Sequence, residues 1–461
     1  MMPHGWLVLL LAAHLTLVLA LERDGPASQQ GLGRVLTVNA HGRAGAPGTY
    51  GSIADALAAA QPGDEVRLSA GSYAEPLVSV RGGLAGRPII ISGAPARNST
   101  IRVRGRVATI THPHVELRHL VLDGDFGPDD TLRVGDAADH LALRDVVVRR
   151  AGRDCVDIGS PSDVLIEDSS VHDCLNPSRG RTDAHGIVAG TVRRLTVRRT
   201  EVHTFSGDAI QLDPSRSAPG WTDLRIEACR FWLAPLRTPR NGFAAGAVPG
   251  ENALDTKTVA TGGRASVTIV DSDAWGFRGD GVTHAAAFNL KERVDVVADR
   301  VTVRESHIGF RVRGPQSSGA AVTLRNVVVH DVDTAIRYED DISQLRVHHM
   351  TAGRNVGRLF QRASSASTRV DVRNLLVLGV TLPPEADQRG LAVDASAFVD
   401  AASDDYQLAA GSKAIDRGTP VDGVGTDRAG QRRPQGAAPD VGAFEFCGEA
   451  CLERSPRPRP R

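Results

Sequence analysis

From about residue 100 to residue 375 of this chain, one theme keeps returning: a short β-branched segment, a polar turn, then a second short apolar segment. It reads HLALRDVVVRRAGRDCVDI, DVLIEDSSVHDC, VRRLTVRRTEVHTFSGDAIQL, SVTIVDSDAWGFRGDGV, VDVVADRVTVRESHIGFRVRG and VTLRNVVVHDVDTAIRY. Equivalent Asp, Thr or Asn positions recur at roughly 23 to 30 residues, the period of a stacked repeat. The links are too short and too poor in helical periodicity for βαβ crossovers. A propeller would need an aromatic signature in every blade, whereas aromatics make up 4% of the chain. One coil alone leaves its apolar side chains exposed; stacked coils share an aliphatic core and pair their backbones above and below. The expected fold is therefore all-β, a right-handed parallel β-helix. Asp145, Asp168, Asp271 and Asn326 fall at the corner after a strand, where Asx side chains tolerate unusual backbone angles.

The open ends of such a cylinder need caps. GTYGSIADALAAAQPGDEVRLSAGSY predicts a short amphipathic helix, with Ser52 and Asp55 as a capping box and Ile53, Ala56, Leu57 and Ala60 on one face. GRPIIISG (86–93) is expected to supply the first firmly buried strand. The expected organisation is a signal peptide at 1–20, a linker at 21–35, the N-terminal cap and first coils at 36–100, and the central β-helix at 101–400. An irregular C-terminal cap follows at 401–446, and a Cys pair with a Pro/Arg tail at 447–461. The apolar run Trp6–Leu19 has signal-peptide length and is short for a membrane span. A secreted protein, extracellular or periplasmic, is expected, with no stable membrane insertion after cleavage. Export permits disulfides: Cys447 with Cys451, and Cys155 with Cys174 between successive turns, the alternative being that Cys155, Cys174 and Cys229 are simply small buried residues. Acidic and basic residues balance at 54 each, which points away from nucleic acid as a partner. A monomer that takes a polysaccharide is expected.

The segment QPGDEVRLSAGSY followed by GRPIIISG resembles the opening of secreted bacterial β-helix proteins of the chondroitinase B and alginate lyase type. DRAGQRRPQGAAPDVGAFEF (427–446) is similar to a C-terminal segment common in bacterial β-helix proteins. The resemblance implies a pectate-lyase-like solenoid and is weaker for activity, because β-helix sequences share turns without sharing substrates. GENALDTKT (250–258) looks like the lyases' acidic–Lys segment, which implies that Lys257 is the base and that Glu251 and Asp255 help bind calcium. The family spaces its acidic positions more tightly. An Arg on the following coil corresponds to Arg278 by separation and to His284 by register.

Polar residues not needed for turns gather between about 183 and 340, just before or within the second short segment of each coil. Stacked in register, they would line a groove. Lys257, Lys291 and Lys413 are the chain's only lysines, against 51 arginines. Lysine differs from arginine in that it can lose its proton and act as a base. Arg311, Arg313 and Arg337 suit sugar carboxylates; His203, Gln211 and Lys291 complete the expected binding set. β-Elimination on a uronate-containing polysaccharide would use Lys257 as base and Arg278 or His284 at the leaving oxygen. Asp213, Glu251, Asn252 and Asp255 would offer oxygens to Ca2+. Two alternatives stay open: a glycoside hydrolase using Asp183, Asp208 and Asp213, and a non-catalytic glycan-binding or adhesin β-helix. The stretch 213–250, with Trp221, Phe231, Trp232 and Phe243, is expected to wall one side of the groove.

Overall fold

The structure is a computed structural model and describes residues 33–40, 46–178, 183–214, 220–258, 263–279, 282–314, 319–339, 342–363 and 370–448. The expected signal peptide at 1–20, Cys451 and the Pro/Arg tail lie outside the described residues.

The chain is a parallel β-helix. Fourteen strands form one sheet, the first face of the cylinder, and a sheet of 22 strands wraps the second and third faces. One coil runs through Arg193–Arg198, Glu201–Phe205 and Ile210–Leu212. The next runs through Asp223–Glu227, Arg230–Trp232 and Leu254–Thr256. Leu195 pairs with Leu224, Val202 with Phe231 and Ile210 with Leu254. All six are buried. In-register stacking thus turns the alternation within each strand into columns, with apolar columns inside and polar columns outside.

The first corner is held in the left-handed region. Asp145, Asp168, Asp271 and Asn326 have φ of 56, 51, 52 and 49°, as the Asx positions predicted. Arg199, Ala228 and Arg300 occupy the same corner in other coils at 47, 52 and 57°. The path of the chain therefore imposes the conformation, and Asx residues are only the ones that adopt it most cheaply.

The N-terminal helix spans Ile53–Ala59. Ser52 caps it by accepting from the Asp55 backbone N–H, and Ile53, Ala56 and Leu57 are buried. Buried strands begin earlier than residue 86: Val38, Val66 and Leu68 are already fully enclosed. The stretch 213–250 is not a single excursion, because Trp221 and Phe231 are in the core and two of its segments are strands. Among the described residues of this stretch, the excursion is confined to 234–250, since Glu251, Asn252 and Ala253 already bond to neighbouring coils. Cys155 and Cys174 form a disulfide with their Cα atoms 5.5 Å apart. Cys447 is also disulfide-bonded.

Beyond Val393 the repeat ends, and the C-terminal segment folds back along the first corner. Arg428 donates to Asp273 (2.8 Å) and Thr302 (2.9 Å), and the Asn326 and Asn374 side-chain amides donate to the carbonyls of Thr426 and Thr419. Its anchor is Arg433, which donates to Glu445 (2.6 Å) and to the carbonyls of Asp440 and Gly442. Both side chains of the Arg433–Glu445 pair are 1% exposed. Removing one partner leaves the other charge buried alone, so Arg433→Ala is expected to cost about 3–5 kcal/mol. Denaturant unfolding should show that loss, and hydrogen exchange should place it in residues 405–446 and the coils beneath them.

Candidate functional site

The third face carries three outward polar columns. Two residues before its strands stand Asp154, His185, Asp208 and Asn252. Mid-strand, Gln211 pairs with Asp255, Asp255 with Asn289, Asn289 with Arg311 and Arg311 with Arg337. Just after the strands come Asp213, Lys257, Lys291, Arg313 and Glu339. Adjacent members of a column lie about 4.8 Å apart, the strand spacing, so each charge acts strongly on the next.

Toward the N-terminal end this face is a buried carboxyl cluster threaded by two lysines. Lys291 Nζ lies 2.8 Å from Asp255 Oδ1 and Lys257 Nζ 3.2 Å from Asp213 Oδ2. Asn289 and Asn252 donate to Asp255 and Asp208, and Gln211 donates to Asp208. Burial drives the carboxyls up. Glu251 reaches about 8, helped by Asp208, Asp183 and Asp255. Asp255 reaches about 6 despite Lys291, and Asp154 about 7. Asp208 is also raised by burial, against the bonds from Asn252 and Gln211. The Glu251 carboxyl has no hydrogen bond or ion pair among the described residues. Burial pulls Lys257 down, but Asp213, Asp255 and Asp208 outweigh it and raise its pKa. Lys257 is therefore an ammonium at neutral pH.

Calcium takes about six to eight oxygens around one point. Here Asp213 and Asp255 hold lysines, while Asn252 donates its amide to Asp208 and accepts from Ala286 N–H (3.1 Å). Arranged in this way, Asp213, Glu251, Asn252 and Asp255 do not fit a calcium ion. Among the His, Cys, Asp and Glu side chains of the described residues, only His330, Asp331 and Asp404 bring three ligand atoms within 4.8 Å of one another. Arg354 already pairs with both of those aspartates, at 3.2 and 2.7 Å.

Toward the C-terminal end the charge reverses. Glu339 is within 2.8 Å of Arg311, 2.9 Å of Arg313 and 2.6 Å of Arg337. The Nε–H groups of Arg313 and Arg337 are buried and out of line for a hydrogen bond. Two other carboxylates also hold three arginines, but there further acids share them. Glu116 and Asp168 do so around Glu167, and Asp125 beside Asp123. Around Glu339 no second acid is found among the described residues. Arg337 Nη1 lies 2.8 Å from His284 Nδ1. Burial, Arg337 and Arg311 lower the His284 pKa, so its ring is neutral at pH 7. Arg337 and His284 line a cavity of about 720 Å³ together with Ile308, Thr334, His307 and Asp333.

The expected site residues are thus divided. Gln211, Asp213, Glu251, Asn252, Asp255, Lys257, Lys291, Arg311, Arg313, Arg337 and His284 share the third face and its edge. Arg278 sits at the corner and donates to the Asp331 carbonyl (2.6 Å). His203 is elsewhere, in a ring column on the second face between His172 (4.8 Å) and Trp232 (4.1 Å). There burial, then His172, press its pKa to about 3. The column's last face, Trp275, is covered by Arg304 at 4.6 Å, so its rings offer edges rather than faces to a sugar. Asp154, His307 and Asp333 were not among the expected residues. Aligning DCVDI, HGIVA, DAIQL and NALDT on their strands would have exposed the column containing Asp154.

No protein-family model matches the chain, and no curated protein matches it. Among solved structures, the pectate lyase Pel9A is 16% identical, with 90% of this chain and 96% of that chain covered and a TM-score of 0.47. An alginate lyase from Paenibacillus sp. str. FPU-7 is 13% identical, covering 73% and 97%, with a TM-score of 0.42. A polygalacturonase from Erwinia carotovora ssp. carotovora is 12% identical, covering 77% and 99%, with a TM-score of 0.45. The likeness is one of architecture. Among the described residues no helix is long and apolar enough to cross a membrane.

The raised carboxyls make a stability prediction. A carboxyl whose pKa is raised by folding contributes stability below its unfolded value and loses it as pH rises through the folded one. For Glu251 that window runs from 4.5 to about 8. The thermal midpoint should fall across this range, and Glu251→Gln should flatten the fall by several degrees. An unchanged slope would show that Glu251 carries none of it.

Proposed function

We propose that this protein acts on a uronate-containing polysaccharide laid along its third face and cleaves it by β-elimination. The observation that supports this is the surplus of donors around Glu339. Three guanidiniums share one carboxylate, two of their N–H groups lack an aligned acceptor, and a neutral imidazole lies beside them at a cavity. Such a pocket takes a second carboxylate. Arg311 and Arg337 neutralise the uronate and stabilise the enolate formed on losing its α-proton. His284 accepts that proton. Lys257, held as an ammonium by Asp213, offsets the carboxyl cluster rather than serving as base. No step requires a metal. Polysaccharides of this kind are met outside the cytoplasm, and the Cys155–Cys174 disulfide agrees with export.

A second reading, glycoside hydrolysis, is favoured by Glu251, an unpaired carboxyl that keeps its proton at neutral pH as a general acid must. The products separate the two readings, since elimination leaves an unsaturated, ultraviolet-absorbing end and hydrolysis does not. A binding module would retain the polymer and cut nothing.

Incubation with alginate, pectate, chondroitin sulfate, dermatan sulfate and heparin should yield the unsaturated product from at least one. Activity should survive EDTA. Arg337→Ala should lower kcat/KM by about 10²–10³-fold, the loss on removing one donor from a developing oxyanion. The acid limb of kcat/KM should lie below pH 6.5, where His284 titrates. A limb near or above the ordinary lysine value of 10.5 would instead assign the base to Lys257.

A further inference from the structure

We propose that His307 is a further catalytic residue, the general acid that protonates the leaving glycosidic oxygen, held in place by Asp333. This rests on the elimination reading above and adds the proton donor it lacks. His307 Nδ1 and Asp333 Oδ2 are 2.6 Å apart. The pair spans adjacent coils at the second-to-third corner, immediately before Ile308 and Thr334, which pair in register. The His307 backbone N–H donates to the Phe277 carbonyl (2.9 Å), which fixes where the ring begins. Arg278 reaches to 4.0 Å from Asp333 while anchored on the Asp331 carbonyl (2.6 Å), so it braces the carboxylate.

His307, Asp333, His284 and Arg337 all line the same cavity of about 720 Å³, over Ile308 and Thr334. Two imidazoles therefore face one bound sugar from different environments. His284 stands against a cationic cluster, which favours its neutral form. His307 stands against a carboxylate that takes the Nδ1 hydrogen bond and fixes the ring, which leaves Nε2 as the nitrogen available to the sugar. In the reaction His284 removes the proton α to the uronate carboxylate and the C–H electron pair forms the new double bond. The C–O bond to the leaving sugar breaks, and His307 delivers its Nε2 proton to that oxygen. One proton enters His284 and one leaves His307; solvent restores both, so no oxidant, reductant or metal enters the balance.

The test compares two uronides: one with the natural glycosidic oxygen at the scissile position, and one with fluoride there, which departs without a proton. His307→Ala is expected to lose about 10²–10⁴-fold in kcat/KM on the glycoside and to stay within a few-fold of wild type on the fluoride. Asp333→Asn, which keeps the shape and removes the charge, should show a smaller loss confined to the glycoside. His284→Ala should fail on both. Circular dichroism and melting curves establish that each variant is folded. Equal losses by His307→Ala on both substrates, or no loss on either, would overturn the assignment. If wild type releases fluoride but leaves every glycoside intact, the acid role alone fails. If it eliminates neither, the elimination reading falls and takes His307 with it.

Discussion

Everything in this molecule depends on register between neighbouring coils. Each strand finds its backbone partners one coil back and one coil on, at the parallel-strand spacing, and the pleat assigns alternate residues to the inside and the outside. A slip of one residue in Leu254–Thr256 would push Asp255 into the aliphatic column and expose Leu254. Because the core is one continuous column, such a slip would also spoil the coils on either side. The solenoid therefore holds outward side chains as tightly as its interior is packed. That is how short strands can carry a site without a separate scaffold.

The same stacking makes the outer columns electrostatically expensive unless their signs are arranged. On the first face acids and arginines alternate: Glu116 meets Arg118 and Arg144, and Glu167 meets Arg144 and Arg198. The third face breaks this pattern. Acids accumulate from Asp154 to Asp255, and cations follow from Lys291 to Arg337. Burial raises the acids, and burial with the clustered arginines lowers His284. The carboxyls raised to about 7, 8 and 6, Asp154, Glu251 and Asp255, gather on this face, which makes it the candidate functional surface. The two charge zones adjoin at Asp255, Lys291 and Arg311, so a chain lying along the axis meets both.

The fold was legible because its cause is periodic. β-Branched segments and corner Asx residues repeat along the sequence, and the left-handed angles at Asp145, Asp168, Asp271 and Asn326 follow from the same geometry. The polar residues were legible as one groove-lining ladder but not as three separate columns, because long loops such as 234–250 hide the alignment. Lysine scarcity singled out Lys257, yet its charge state is set by Asp213, 44 residues earlier, and no local pattern shows that. His203 looked like its polar neighbours until the stacking placed it on another face. His307 and Asp333 sit in repeat segments with nothing local to single them out, and their contact exists only across coils.

The C-terminal segment links distant parts of the chain in time as well as space. Arg428 ties back to Asp273, 155 residues upstream, and Arg433 is enclosed only when Glu445 arrives. The strands Asp273–Trp275 and Thr302–Val312 are synthesised long before the residues that latch them. Locking of these coils is thus postponed until synthesis is nearly complete.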